Sequence, residues 1–150
     1  MTFQTVKIFA HTFREVFQES GYILRVPPTV IQELTFHALK SGGSDGDRAL
    51  RALQQMRKWE ILPFDLLPAG HAIAEQFFRK LNNKGFLDGE FNDGLILAET
   101  SLACIPMLVT SDSDLLVIDE VAQRVQFEDS DLFPVAVAHP RKLLKAMGKT

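Results

Sequence analysis

The stretch "EFNDGLILAETSLACIPMLVTSDSDLL", Glu90 to Leu116, decides how this chain is read. It opens on Asp93 at a helix start and continues as an apolar helix over Asn92 to Cys104. A short apolar strand, "MLVT" (Met107 to Thr110), follows, and then two aspartates, Asp112 and Asp114. A helix leading into a strand that is apolar on both faces is a unit from which buried parallel sheets are built. Carboxylates beside such a sheet are costly unless backbone N–H groups or a cation compensate them. Asn92 and Asp93 suit an N-cap, and Asp112 and Asp114 suit an Asx-turn after a strand. The capping and cation-binding readings put these side chains in the same places. They differ only in what the oxygens touch.

Outward from that stretch, "TVKIFA" (Thr5 to Ala10) reads as a short first strand. "HTFREVFQES" reads as a helix with Phe13, Val16 and Phe17 on one face. "YILRV" (Tyr22 to Val26) is a strand that Pro27 and Pro28 end, and the prolines open a helix over about Thr29 to Lys40. "SGGSDGD" (Ser41 to Asp47) reads as a flexible loop, with Asp47 as the N-cap of the amphipathic helix "RALRALQQMRKW". The strand "EILPF", the helix "PAGHAIAEQFFRKL", the strand "FPVAVA" (Phe133 to Ala138) and the helix "PRKLLKAM" complete the chain. Short apolar strands separated by helices predict an α/β fold: three α/β/α layers around a central parallel sheet containing "ILRV", "MLVT" and "VAV". No repeat or linker divides the chain, so residues 1–150 are expected to form a single domain.

The composition is that of an ordinary globular protein: 150 residues, 46% apolar, 23% charged, with a formal net charge of −3. That charge does not advertise a polyanion partner, although an acidic site lowers it by itself. The single cysteine, Cys104, excludes an internal disulfide framework and suits a reducing compartment. Its apolar surroundings predict a buried small hydrophobe. No apolar run reaches about 18 residues, so no membrane span is expected and a cytoplasmic location is the default. The four histidines lack metal-ligand spacing, and no Ser/His/Asp set or glycine-rich phosphate loop is present. Arg48, Arg51, Arg57 and Lys58 on one helix, and Arg141, Lys142, Lys145 and Lys149 on another, read as solvated faces that could also track a phosphate backbone.

Glu33 falls in the first turns of a helix that directly follows a strand. In open parallel sheets, ligands bind beyond the carboxyl ends of the strands. Glu33, Asp93, Asp112 and Asp114 are therefore expected to converge at that edge. An all-oxygen set without His or Cys selects a hard cation, Mg²⁺ or Mn²⁺. A cation held by carboxylates serves phosphodiester cleavage.

The ordered set "VPPTVIQEL", "FNDGLILAET" and "LVTSDSDLL" resembles the PIN domain family over roughly Gly21 to the C-terminus. The resemblance implies a Mg²⁺- or Mn²⁺-dependent endoribonuclease of the kind found in toxin–antitoxin pairs. It implies Glu33, Asp93 and Asp112 or Asp114 as catalytic metal ligands, with Asn92 and Thr110 in support. RNA, single-stranded or structured, and an antitoxin protein are the partners it implies, with a homodimer as a further expectation. The family opens with a strand ending in an aspartate, and this chain has no aspartate before Asp45. Either His11 stands in that place behind a weak first strand, or the strand is absent because the domain is truncated or degenerate. The alternative function is a catalytically degraded domain that binds nucleic acid or protein.

Overall fold

The computed structural model describes residues 3–85 and 91–148. In chain order the elements are α1 (Phe3–Glu19), β1 (Arg25–Val26), α2 (Pro28–Lys40), α3 (Gly43–Lys58), β2 (Leu62–Pro63) and α4 (Pro68–Asn83). They continue with α5 (Phe91–Leu102), β3 (Met107–Val109), α6 (Ser113–Leu116), α7 (Glu120–Asp129), β4 (Ala136–Ala138) and α8 (Pro140–Ala146).

The described residues are mostly helical, and this corrects the expected three-layer α/β/α fold with a central parallel sheet. The strands form where "ILRV", "MLVT" and "VAV" were placed, but they do not join. Among the described residues β1 pairs only with β2, and β3 only with β4, as two separate parallel pairs. The physical reason is the gap between β1 and β3. No described strand lies there, so neither pair extends into a larger sheet.

"TVKIFA" is the second correction, because it belongs to α1 and not to a strand. Val6, Phe9, Phe13 and Val16 recur at helical spacing through "HTFREVFQES", and this longer period overrides the two-residue alternation of a six-residue window. The third is "SGGSDGD": α3 already begins at Gly43, with Gly42 as its N-cap, so Asp47 lies inside the helix. A Cβ at Gly46 would meet the Ser41 carbonyl oxygen at 2.2 Å. The glycine serves the close approach of α3 to the end of α2, and not flexibility.

The main core lies on the β3–β4 side. Phe77 and Leu81 of α4, Leu97 and Ala98 of α5, Leu115, Phe127 and Val135 pack together, with Phe77 stacked on Phe127 at 4.8 Å. Cys104 is exposed, against expectation. It follows the last turn of α5 at φ 57°, a left-handed closure that turns the chain toward β3 and carries the side chain out of the apolar run. Among the described residues no helix is long and apolar enough to cross a membrane.

Candidate metal centre

Two prolines precede the site. Pro27 caps α2 without a side-chain hydrogen bond, and Pro28 occupies its first turn. Thr29 still has an N–H to satisfy, and a residue from α5 satisfies it. The Glu99 carboxylate accepts the Thr29 N–H at 3.1 Å and the Thr29 hydroxyl at 2.8 Å. Glu99 is 2% exposed. Burial pushes its carboxyl above the usual glutamate range, while the two Thr29 bonds pull the other way. A carboxylate at a helix N-terminus also complements the helix dipole. This bracket holds the start of α2 against α5. One turn along α2 from Thr29 stands Glu33, and two turns back along α5 from Glu99 stands Asn92, whose side-chain amide donates to Glu33 Oε1.

Asp93 is the next residue of α5. It begins a stripe with Ile96 and Thr100, spaced three and four residues apart, that lines an open cavity of about 1210 Å³. Across the cavity mouth, β3 ends at Val109. The Thr110 hydroxyl accepts the Asp112 N–H at 3.0 Å, and Asp112 Oδ1 accepts the Asp114 N–H at 2.9 Å as the N-cap of α6. The expected Asx-turn is therefore present. It does not compete with clustering, because it uses one oxygen of Asp112 and rotates Asp114 toward Asp93. One carboxylate oxygen from each of Asp93, Asp112 and Asp114 lies within 4.8 Å of the other two. This group could hold a metal ion.

The structure thus brings together three of the four expected carboxylates. Glu33 is not one of the three; it lines the same cavity and is joined to the group through Asn92. Thr110 fixes the Asp112 turn. His11 does not stand in for a missing ligand. It lies on α1, 3.7 Å from Glu15 and edge-on to Trp59 at 5.7 Å. His139 and Arg141 also line the cavity, and His139 Nδ1 accepts the Arg141 N–H at 3.0 Å as the N-cap of α8. Glu99 was missed from sequence. Its signal is a glutamate inside the run "LILAETS", a charge where helical spacing puts core.

These elements define a carboxylate edge beside an open cavity whose lining also includes Arg14, Arg25 and Arg141. A scan against family models, a search of curated proteins and a search of solved structures find no match to this chain.

Proposed function

We propose that the protein cleaves RNA phosphodiesters with a divalent cation, Mg²⁺ or Mn²⁺, held by Asp93, Asp112 and Asp114. The convergence of those three carboxylates carries the reading. Their chemistry fits the ion: three charged oxygens leave positions for water and phosphate oxygens, as Mg²⁺ requires. A bound cation would supply charge neutralisation and Lewis acidity for attack of water on phosphorus, with one P–O ester bond breaking. The chain supplies the rest. Asn92 occupies Glu33 Oε1 and so leaves Oε2 to accept a proton from the attacking water. Thr110 holds the turn that presents Asp112 and Asp114. Arg25 and Arg141 line the cavity and offer donors to the phosphate backbone. RNA as the substrate, and an antitoxin as a partner, follow from the PIN resemblance of the three motifs.

The test is cleavage of a fluorescently labelled single-stranded RNA by the full chain with Mn²⁺. Activity that EDTA removes and Asp93→Asn abolishes supports the proposal. Activity surviving either would contradict it. A second reading, a binding module without catalysis, draws on one observation: Glu33 is not among the three carboxylates that come together. RNA retention without cleavage under either metal would favour that reading.

A further inference from the structure

The cavity beside the carboxylates is bounded by two strand edges. In the β1–β2 pair, the Leu62 N–H donates to the Leu24 carbonyl and the Phe64 N–H to the Val26 carbonyl. Arg25, between them, must turn its own N–H and C=O away from β2, because backbone groups alternate in direction along a strand. In the β3–β4 pair, the Ala136 N–H donates to the Pro106 carbonyl and the Thr110 N–H to the Ala138 carbonyl. By the same alternation, Met107 and Val109 turn theirs away from β4. Arg25, Met107 and Val109 all line the one cavity. Among the described residues none of the three makes a backbone hydrogen bond outside its own pair.

Parallel strands are ordinarily buried on both faces. Here Ile23, just before β1, is 77% exposed, and Met107 at the start of β3 is 41% exposed. Two parallel edges with apolar flanks and unused N–H and C=O groups are a template for an added strand. The amino ends of these strands also carry positive charge. Arg14 and Arg25 line the cavity there, and Arg14 lies over the Trp59 ring at 5.2 Å. Arg14 Nε is buried and has no hydrogen-bond partner. Another guanidinium nitrogen of Arg14 meets His11 Nε2 at 3.5 Å, and among the described residues no carboxylate pairs with this cation; a carboxylate is the partner its charge favours.

We propose that this cavity docks an extended segment of a partner protein as an additional strand, parallel to β1 and β3, with apolar residues at alternate positions and an acidic residue at its amino end that meets Arg14. The strand would bond to Arg25 on one side and to Met107 and Val109 on the other. It would cover Ile23 and Met107, and its acidic residue would pair with the Arg14 guanidinium. The charge complementarity at the amino end selects the occupant and its direction together. The groove is part of the cavity that also holds Glu33, Asp93 and Asp112, but peptide docking is read without RNA or metal, so its failure and the failure of the cleavage reading are distinguishable.

The probe is the acetylated, amidated peptide Asp-Val-Thr-Val-Thr-Val, added to the full chain. Trp59, the one tryptophan, lines the cavity and reports by fluorescence, while hydrogen exchange reports on the Arg25 and Val109 amides. The expected result is a saturable change in Trp59 emission with slowed exchange of both amides, and neither effect with a peptide carrying Pro at its centre. Replacing the peptide's Asp by Asn should weaken binding about tenfold, the scale of one charged hydrogen bond. Arg14→Met, or Arg14→Gln if the former does not fold, should erase that difference. No protection of the amides at millimolar peptide, or equal protection by the Pro peptide, would overturn the proposal. So would protection that grows with protein concentration alone, since the occupant would then be a second copy of the chain.

Discussion

The half of the molecule built from α4 to α7 and the β3–β4 pair closes around Phe77 stacked on Phe127, with Leu97 and Leu81 sealed from solvent. The half built from α1 to α3 and the β1–β2 pair has no such centre: its buried Phe17, Val26 and Ala49 keep 5–7% exposure, and Ile23, Phe36 and Leu39 lie exposed, as Val117 and Phe133 do in the other half. Both halves have helices on parallel strands and comparable apolar content, so composition does not separate them. Pairing does. β3 and β4 match over three residues, and the helices around them supply large side chains to one centre. β1 and β2 match over two, and among the described residues no third strand pairs with β1. The carboxylate site straddles this boundary. Asp93, Asp112 and Asp114 come from the closed half, and Glu33 from the open one, held by the Glu99–Thr29 bracket and by Asn92.

The contrast breaks most sharply at Phe127. Phe127→Ala should cost about 3–5 kcal/mol in denaturant unfolding, because a fully buried aromatic leaves a cavity that its neighbours only partly fill. The bracket comes next. Glu99→Ala strands the buried Thr29 N–H and should cost about 1–3 kcal/mol. Glu99→Gln should cost less, since its amide can accept from that N–H and donate to the hydroxyl. The same group sets a pH dependence. Below the ordinary glutamate range Glu99 is protonated in the folded and unfolded chains alike, and its share of stability is fully present. That share is lost as pH rises through its raised folded value. Melting temperatures across mildly acidic pH should therefore fall more steeply in the natural chain than in Glu99→Gln.

Gly46→Ala tests the junction of α2 and α3. Helix propensity favours alanine by about 1 kcal/mol. The Ser41 carbonyl, 2.2 Å from the new Cβ, is backbone and cannot swing aside, so a net loss of about 1–3 kcal/mol is expected by thermal unfolding. The smallest effect belongs to the open half: Phe36→Ala, 60% exposed, should stay within about 0.5 kcal/mol.

The acidic edge was legible because its residues are close in sequence to the strands that place them. Asp112 and Asp114 sit two and four residues beyond Thr110, and Asp93 opens the helix that leads into the same strand. The sheet was not legible, because joining β1 to β3 depends on what lies between them, and no local pattern of either strand encodes that. "TVKIFA" misled because β-branched Val6 and Ile8 alternate with Lys7 and Phe9 over six residues, while the helical period becomes visible only over twelve. The bracket escaped because Glu99 and Thr29 are 70 residues apart. Only the failure of Pro27 to cap α2 hints that a distant acceptor is required.

The central claim is that Asp93, Asp112 and Asp114 form a divalent-cation site at the boundary of the two halves. Isothermal titration of the full chain with Mn²⁺, beside Asp93→Asn and Phe36→Ala, tests it most directly. One saturable site is expected in the natural chain and in Phe36→Ala. Asp93→Asn, which removes one of the three charged ligands, should weaken it by about tenfold or more. No binding at millimolar Mn²⁺, or equal affinity in Asp93→Asn, would contradict the account.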